Sequence, residues 1–198
     1  MIFDVGGVLI RTEDRTPRAA LEASLGLEPG QADEIVFNSP QGRAAQLGRI
    51  TSAELWAWVQ EKLGLDEAGL AQFRRAFFAG DQVNWALVTV AKELATRYRV
   101  AILSNFMDDL RRMLVEDYPL GHLFDPIVIS AEEGIMKPDA AIYRRVLERL
   151  GCRPEEAVFI DDFAHNVEGA RGVGLRAIHY RPGMDVGAEL ARWGVHTT

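Results

Sequence analysis

A single cysteine, Cys152, in 198 residues excludes an internal disulfide and any site built from several thiolates. Such scarcity is the usage of a reducing compartment, and the cytoplasm is the expected location. No apolar run approaches the ~18 residues of a membrane span. The opening segment also lacks the basic-then-apolar layout of a secretory signal, because Asp4 arrives almost at once. Positive charge is in deficit. Lys and Arg number 22 against 29 Asp and Glu, a net charge of −7 with no basic stripe, which argues against nucleic acid or an anionic membrane surface as partner.

What is present suits a globular chain. Hydrophobic residues make up 48% and charged residues 26%, enough apolar material for a core without metal or disulfide staples. At about 150 residues per domain the length allows a little over one.

Two textures divide the sequence. Met1 to Ile10 is apolar apart from Asp4 and Gly6-Gly7, and predicts a strand running into a glycine turn. From about 13 to 80 the pattern is helical. Pro17 opens a helix to Leu25, Gln31 to Phe37 forms a second, and Thr51-Ser52-Ala53-Glu54 is a capping box. The helix it starts carries Leu55, Trp58, Val59 and Leu63 on one face and ends at Gly64, and Leu70, Phe73, Phe77 and Phe78 mark another. Beyond Asn84, helices alternate with short, uninterrupted apolar runs at Val100–Leu103, Ile127–Ile129 and Val158–Ile160, and Arg176–Tyr180 makes a last strand. Such strands predict a parallel sheet covered on both faces. The expected architecture is an α/β, Rossmann-like core of residues 1–12 and 81–198, with residues 13–80 as a small helical insertion after the first strand.

Ligands of an open parallel sheet bind beyond the carboxyl ends of its strands. Those ends carry Asp4, Ser104-Asn105 and Asp161-Asp162, so three carboxylates converge on one crevice. Like charges that close need a cation, and oxygen donors without His or Cys imply a hard ion, magnesium first. Lys137 adds an ammonium to the same rim. A cation, an ammonium, a hydroxyl and a carboxylate suit phosphoryl transfer, with Asp4 as the candidate nucleophile because its glycine turn admits backbone N–H groups to a phosphate.

These residues resemble the haloacid dehalogenase superfamily of aspartate-nucleophile hydrolases. Phe3-Asp4-Val5-Gly6-Gly7-Val8-Leu9, Leu103-Ser104-Asn105, Lys137-Pro138 and Phe159-Ile160-Asp161-Asp162 with Asn166 are similar to its four motifs, in order and over nearly the whole chain. The resemblance implies Asp4 as nucleophile, Ser104 and Asn105 on the phosphoryl oxygens, and Lys137 steadying both nucleophile and phosphoryl group. It further implies magnesium on Asp4, the Gly6 carbonyl and Asp162 with Asp161 assisting, and residues 13–80 as a cap over the site. The implied substrate is a small phosphorylated metabolite.

The position two residues after the nucleophile, where most family phosphatases carry a general-acid aspartate, is Gly6. A branch with glycine there, which includes an α-D-glucose-1-phosphate phosphatase, resembles this sequence also in Asp161 to Ala170. Two alternatives stay open: displacement of halide from carbon by Asp4, and a non-catalytic domain that binds a phosphorylated ligand. His165, Glu13 and Asp14 are candidates for a replacement acid, each read more simply as a solvated loop residue.

Overall fold

The computed structural model describes residues 1–196, so that Thr197 and Thr198 of the expected core lie outside the described residues. In chain order the elements are β1 (Ile2–Phe3), β2 (Ile10–Thr12), α1 (Thr16–Ser24), α2 (Gln31–Asp33), a π-helical turn (Glu34–Asn38), α3 (Pro40–Gln46), α4 (Ser52–Leu63), α5 (Glu67–Phe78) and β3 (Asp81–Val83). There follow α6 (Trp85–Ala95), β4 (Ala101–Ser104), α7 (Leu110–Glu116), β5 (Ile127–Ile129), α8 (Ser130–Glu133), α9 (Ala140–Leu150), β6 (Val158–Asp161), α10 (Ala164–Gly172), β7 (Arg176–His179) and α11 (Val186–Ala191).

Five strands form a parallel sheet in the order β5-β4-β1-β6-β7. Alternate residues of a strand face opposite sides, and here both sides are apolar. Ile2, Ala101, Leu103, Val128, Phe159 and Ala177 pack with α9 and α10, whereas Phe3, Ile102, Ile129, Ile160 and Ile178 pack with α6, α7 and α11. The uninterrupted apolar runs of the sequence are the trace of this double burial. From β1 the chain adds β4 and β5 on one side, then crosses to β6 and β7 on the other. The switch lies beside β1, and the carboxyl ends of β1, β4 and β6 border it.

Residues 13–80 fold as helices around their own apolar cluster, in which Leu21, Val36, Leu55, Trp56, Val59, Phe73 and Phe77 are buried. The capping box is formed, with Glu54 N–H donating to Thr51 Oγ1 at 3.2 Å and Thr51 N–H donating to Glu54 Oε2 at 2.7 Å, and Gly64 ends α4 with φ +62°. A two-stranded ribbon, β2 against β3 with Arg11 opposite Gln82, carries the chain into and out of these helices. Further ties join them to the core: Asp108 Oδ1 accepts from Ser52 N–H at 3.0 Å, Ser130 Oγ donates to Gln46 O at 2.6 Å, and Met107 sits in the helical cluster.

The first ten residues form the expected strand running into a glycine turn. Only Ile2–Phe3 joins the sheet; Val5 O accepts from Val8 and Ile10 N–H, folding Gly6-Gly7 into a turn. On α4 the buried tryptophan is Trp56, not Trp58. Trp58 lies at the edge of the cluster with the Lys62 ammonium 5.4 Å from its ring. The ribbon has no apolar alternation and is invisible to periodicity.

Arg18 ties α1, α5 and the ribbon together. Buried to 4% exposure, it donates to Phe77 O from Nε and Nη2 at 3.0 and 2.6 Å, pairs with Asp33 at 2.5 Å and lies over the Phe77 ring. Removing one member of a buried ion pair typically costs about 3–5 kcal/mol. Arg18→Met should therefore lower unfolding stability in urea by about 3 kcal/mol; a change below ~1 kcal/mol would show that the ribbon and apolar cluster suffice.

Candidate active site

The loops that leave β1, β4 and β6 deliver the predicted side chains to one place. Asp4 follows β1 and is 5% exposed, and its backbone N–H bonds Ile160 O of the neighbouring strand at 2.9 Å. Its Oδ1 accepts from Val5 N–H at 2.7 Å, and its Oδ2 lies 2.9 Å from Lys137 Nζ. Lys137 reaches in from the loop after α8, wholly buried, and donates also to Asp161 Oδ2 at 2.6 Å and Leu103 O at 3.1 Å.

Asp161 and Asp162, adjacent in sequence, have different surroundings. Asp161 closes β6 with no exposure and both its oxygens are engaged. Oδ1 accepts from Phe163 N–H and Asn166 Nδ2, and Oδ2 from Lys137 and again from Asn166. Asp162 has a buried Oδ1 that receives no hydrogen bond from the described residues. Buried polar atoms are nearly always partnered, so an unpartnered carboxylate oxygen marks a place for an external group. Oxygens of Asp4, Asp161 and Asp162 lie within 4.8 Å of one another.

The charge balance agrees. Burial pushes the Asp4 carboxyl up to about 7; Lys137 opposes that rise, while Asp161 and Asp162 add to it. Burial and then Asp161 likewise raise Asp162. Burial works against the Lys137 charge, but Asp4 and Asp161 outweigh it and hold the ammonium above its ordinary value. One ammonium against three carboxylates leaves a negative excess in a buried crevice, the condition a bound divalent cation relieves.

Ser104, at the end of β4, is 2% exposed. Asn105 is engaged otherwise than the sequence suggests. Its Nδ2 donates to Lys137 O at 2.9 Å and its Oδ1 accepts from Lys137 N–H at 2.8 Å. Both ends of the amide therefore hold the backbone that carries the lysine. Gly6 is exposed and without positive φ, whereas Gly7 has φ +72° and approaches Asp162 closely.

Three side chains of the surrounding shell gave little or no sequence signal. Tyr143, fully buried on α9, donates from its hydroxyl to Asn166 O at 2.7 Å; only a hydroxyl on an apolar helix face hints at this. His179, at the end of β7, places Nε2 2.9 Å from Asp162 O, which makes Nε2 the protonated nitrogen. Ser130 accepts from Phe106 N–H at 3.0 Å and steadies the loop after Asn105. His165 is exposed, its ring 5.4 Å from that of Phe163.

A family model for haloacid dehalogenase-like hydrolases matches residues 1–174. The chain belongs to this family. A sesquiterpene phosphatase of Aspergillus oryzae is 26% identical over 190 residues, 96% of this chain and 93% of that protein. A phosphoserine phosphatase of Thermus thermophilus is 38% identical over 131 residues, 61% of this chain but only 52% of its own length. Among solved structures, a family enzyme of Bacteroides thetaiotaomicron in complex with magnesium and inorganic phosphate superposes with a TM-score of 0.76 at 25% identity, over 95% of this chain and 96% of that one. The chain is thus a hydrolase with the family's α/β fold, and no helix among the described residues is long and apolar enough to cross a membrane.

The two neighbouring glycines should respond unequally to a methyl group. At Gly7 a Cβ would lie 2.1 Å from Asp162 Oδ2 on a left-handed backbone, whereas at Gly6 it would meet nothing within 4 Å. Gly7→Ala should lose on the order of 1–2 kcal/mol of stability from the backbone alone, and Gly6→Ala less than ~0.5 kcal/mol. Thermal unfolding of both variants checks the contrast; equal losses would place the constraint elsewhere in the turn.

Proposed function

We propose that this chain is a magnesium-dependent phosphatase that hydrolyses a small phosphorylated metabolite, a sugar phosphate being a natural first test, through an aspartyl phosphate on Asp4. The unpartnered Asp162 oxygen beside two further carboxylates carries this reading. Asp4, Asp162 and the Gly6 carbonyl would hold the ion directly and Asp161 would assist from behind, since its own oxygens are already engaged. Bound there, magnesium supplies charge neutralisation at the phosphoryl oxygens.

The remaining steps belong to the chain. Asp4 Oδ attacks phosphorus opposite the leaving oxygen. Lys137, 2.9 Å from Asp4, orients the carboxylate and offsets charge as the phosphoryl group arrives. The Ser104 hydroxyl donates to a phosphoryl oxygen, and Asn105 contributes by fixing Lys137 as well as by its place on the same loop. Residues 13–80 form the cap that excludes water and selects substrate, over a core of residues 1–12 and 81–198. Relatives that are phosphatases, and a relative that holds magnesium and phosphate, support this reading. Halide displacement from carbon would use Asp4 alone and leaves the acidic cluster without a task.

Asp4→Asn should abolish phosphomonoester turnover with the thermal midpoint little changed, because an amide keeps the size but cannot form the phosphoenzyme. More than a few per cent of wild-type kcat would remove Asp4 from the nucleophile role. Chelator should silence the wild type and magnesium restore it; full turnover in chelator would end the metal assignment.

The two aspartates should separate. Asp162→Ala should raise the magnesium requirement by ~10–100-fold or more with folding intact, since the side chain makes no protein hydrogen bond through Oδ1. Asp161→Ala should instead cost about 3–5 kcal/mol of stability, because it strips a partner from the buried Lys137. Magnesium titrations and urea unfolding of both variants decide it; reversed sensitivities would exchange the two roles.

A further inference from the structure

A phosphoryl transfer to Asp4 leaves the departing oxygen with an electron pair, and an ordinary alkoxide needs a proton at that moment. Among the described residues, Lys137 lies 2.9 Å from Asp4, and oxygens of Asp161 and Asp162 lie within 4.8 Å of it. Each is committed: Lys137 to Asp4, Asp161 and Leu103 O, and Asp161 to Lys137, Asn166 and Phe163 N–H. An Asp162 oxygen lies within 4.8 Å of oxygens of Asp4 and Asp161, where the proposed cation would engage it. Of the other candidate donors, Glu13 is engaged with Arg11 at 3.1 Å and Asp14 with Thr16 N–H at 2.8 Å, while His165 stands exposed with its ring 5.4 Å from that of Phe163. At Gly6 no side chain exists, and the space a Cβ would occupy is open.

We infer that the site acts on phosphoryl donors whose leaving group departs as a stable anion, and that breakdown of the aspartyl phosphate limits turnover. This rests on the phosphatase reading above and narrows it. In the first step the Asp4 O–P bond forms as the leaving P–O bond breaks, and the leaving oxygen keeps the electron pair unprotonated. In the second, water attacks phosphorus, Asp4 leaves with its electron pair, and the water proton passes to solvent, giving inorganic phosphate. Acyl, enol and aryl phosphates meet the requirement. Among sugar phosphates, one esterified at the more acidic anomeric oxygen meets it better than one at a primary hydroxyl. Among the described residues the second step has no carboxylate base free to activate water, so the phosphoenzyme accumulates whenever the first step is fast.

The test is a series of aryl and alkyl phosphates of graded leaving-group acidity, assayed on the whole protein with magnesium, with rapid-quench measurement of the first turnover. The expected result is a kcat/KM that falls ~10²–10⁴-fold from nitrophenyl to alkyl phosphates, the span that acid assistance normally erases. Across the good leaving groups kcat should be constant, and leaving group should appear in a burst equal to the enzyme concentration. Gly6→Asp, which has room for the side chain, should raise the alkyl rates toward the aryl ones and shrink the burst. A kcat/KM indifferent to the leaving group in the wild type would show that a donor acts after all and overturn the inference. So would the absence of a burst in a protein that turns over. No hydrolysis of any member, with or without magnesium, would overturn the phosphatase reading itself.

Discussion

The ammonium of Lys137 joins the parts of this molecule that come from distant stretches of chain. It reaches Asp4 after β1, Leu103 O on β4 and Asp161 at the end of β6, so one buried cation ties the carboxyl ends of three adjacent strands. A charge in that position is tolerable only because its partners are charged and hydrogen-bonded in turn. Asn166 supports Asp161, Tyr143 holds the turn that carries Asn166, and Asn105 holds the lysine backbone at both its N–H and its carbonyl. The apolar sheet supplies position, and this polar network supplies orientation. A metal ligand or nucleophile on a loop would otherwise wander by more than chemistry tolerates.

What could be read from the sequence follows from which physical signals are local. Double burial leaves apolar runs, and a polar residue that ends such a run must lie at a strand terminus; that alone brings Asp4, Ser104 and Asp161-Asp162 to one edge. The capping box and Gly64 of α4 are similarly local and match the structure. The ribbon of β2 and β3 is not local. Its strands are three residues each, lie 71 positions apart at the paired residues Arg11 and Gln82 (82 − 11), and lack alternation. Trp56 and Trp58 also defeated periodicity, since both lie close enough to the apolar stripe that only the packed neighbours choose between them. Asn105 illustrates a further limit: residue type pointed to the site, but its partner, the backbone of Lys137, lies 32 residues away and leaves no mark in composition.

The helical segment of residues 13–80 has its own apolar cluster and also several polar ties to the core. Ser130, Asp108 and Arg18 each satisfy groups on both sides of a boundary or seam, and Gly48, at φ +65°, brings its backbone so near Ala131 that a Cβ would stand 2.1 Å from the Ala131 carbonyl oxygen. Apolar contact is tolerant of small shifts, whereas hydrogen bonds and close backbone approach are not. These contacts therefore define one docked position of the helices relative to the strand ends, while the ribbon keeps the two connected.

The contrast between Asp161 and Asp162 shows how one sheet edge assigns different work to identical residues. Asp161 is the last residue of β6, paired with His179 of β7, and its side chain turns to the buried lysine and to Asn166. Asp162 is one residue beyond the strand. There its carbonyl is held by His179, and its carboxylate lies against the Gly7 turn, where only a glycine leaves room for it. The first carboxylate is saturated by the protein and so can only orient. The second is desolvated on one oxygen without being satisfied by the described residues, a cost that the cation of the proposed function would relieve. Sequence adjacency places both in the site; the end of the strand between them separates structure from chemistry.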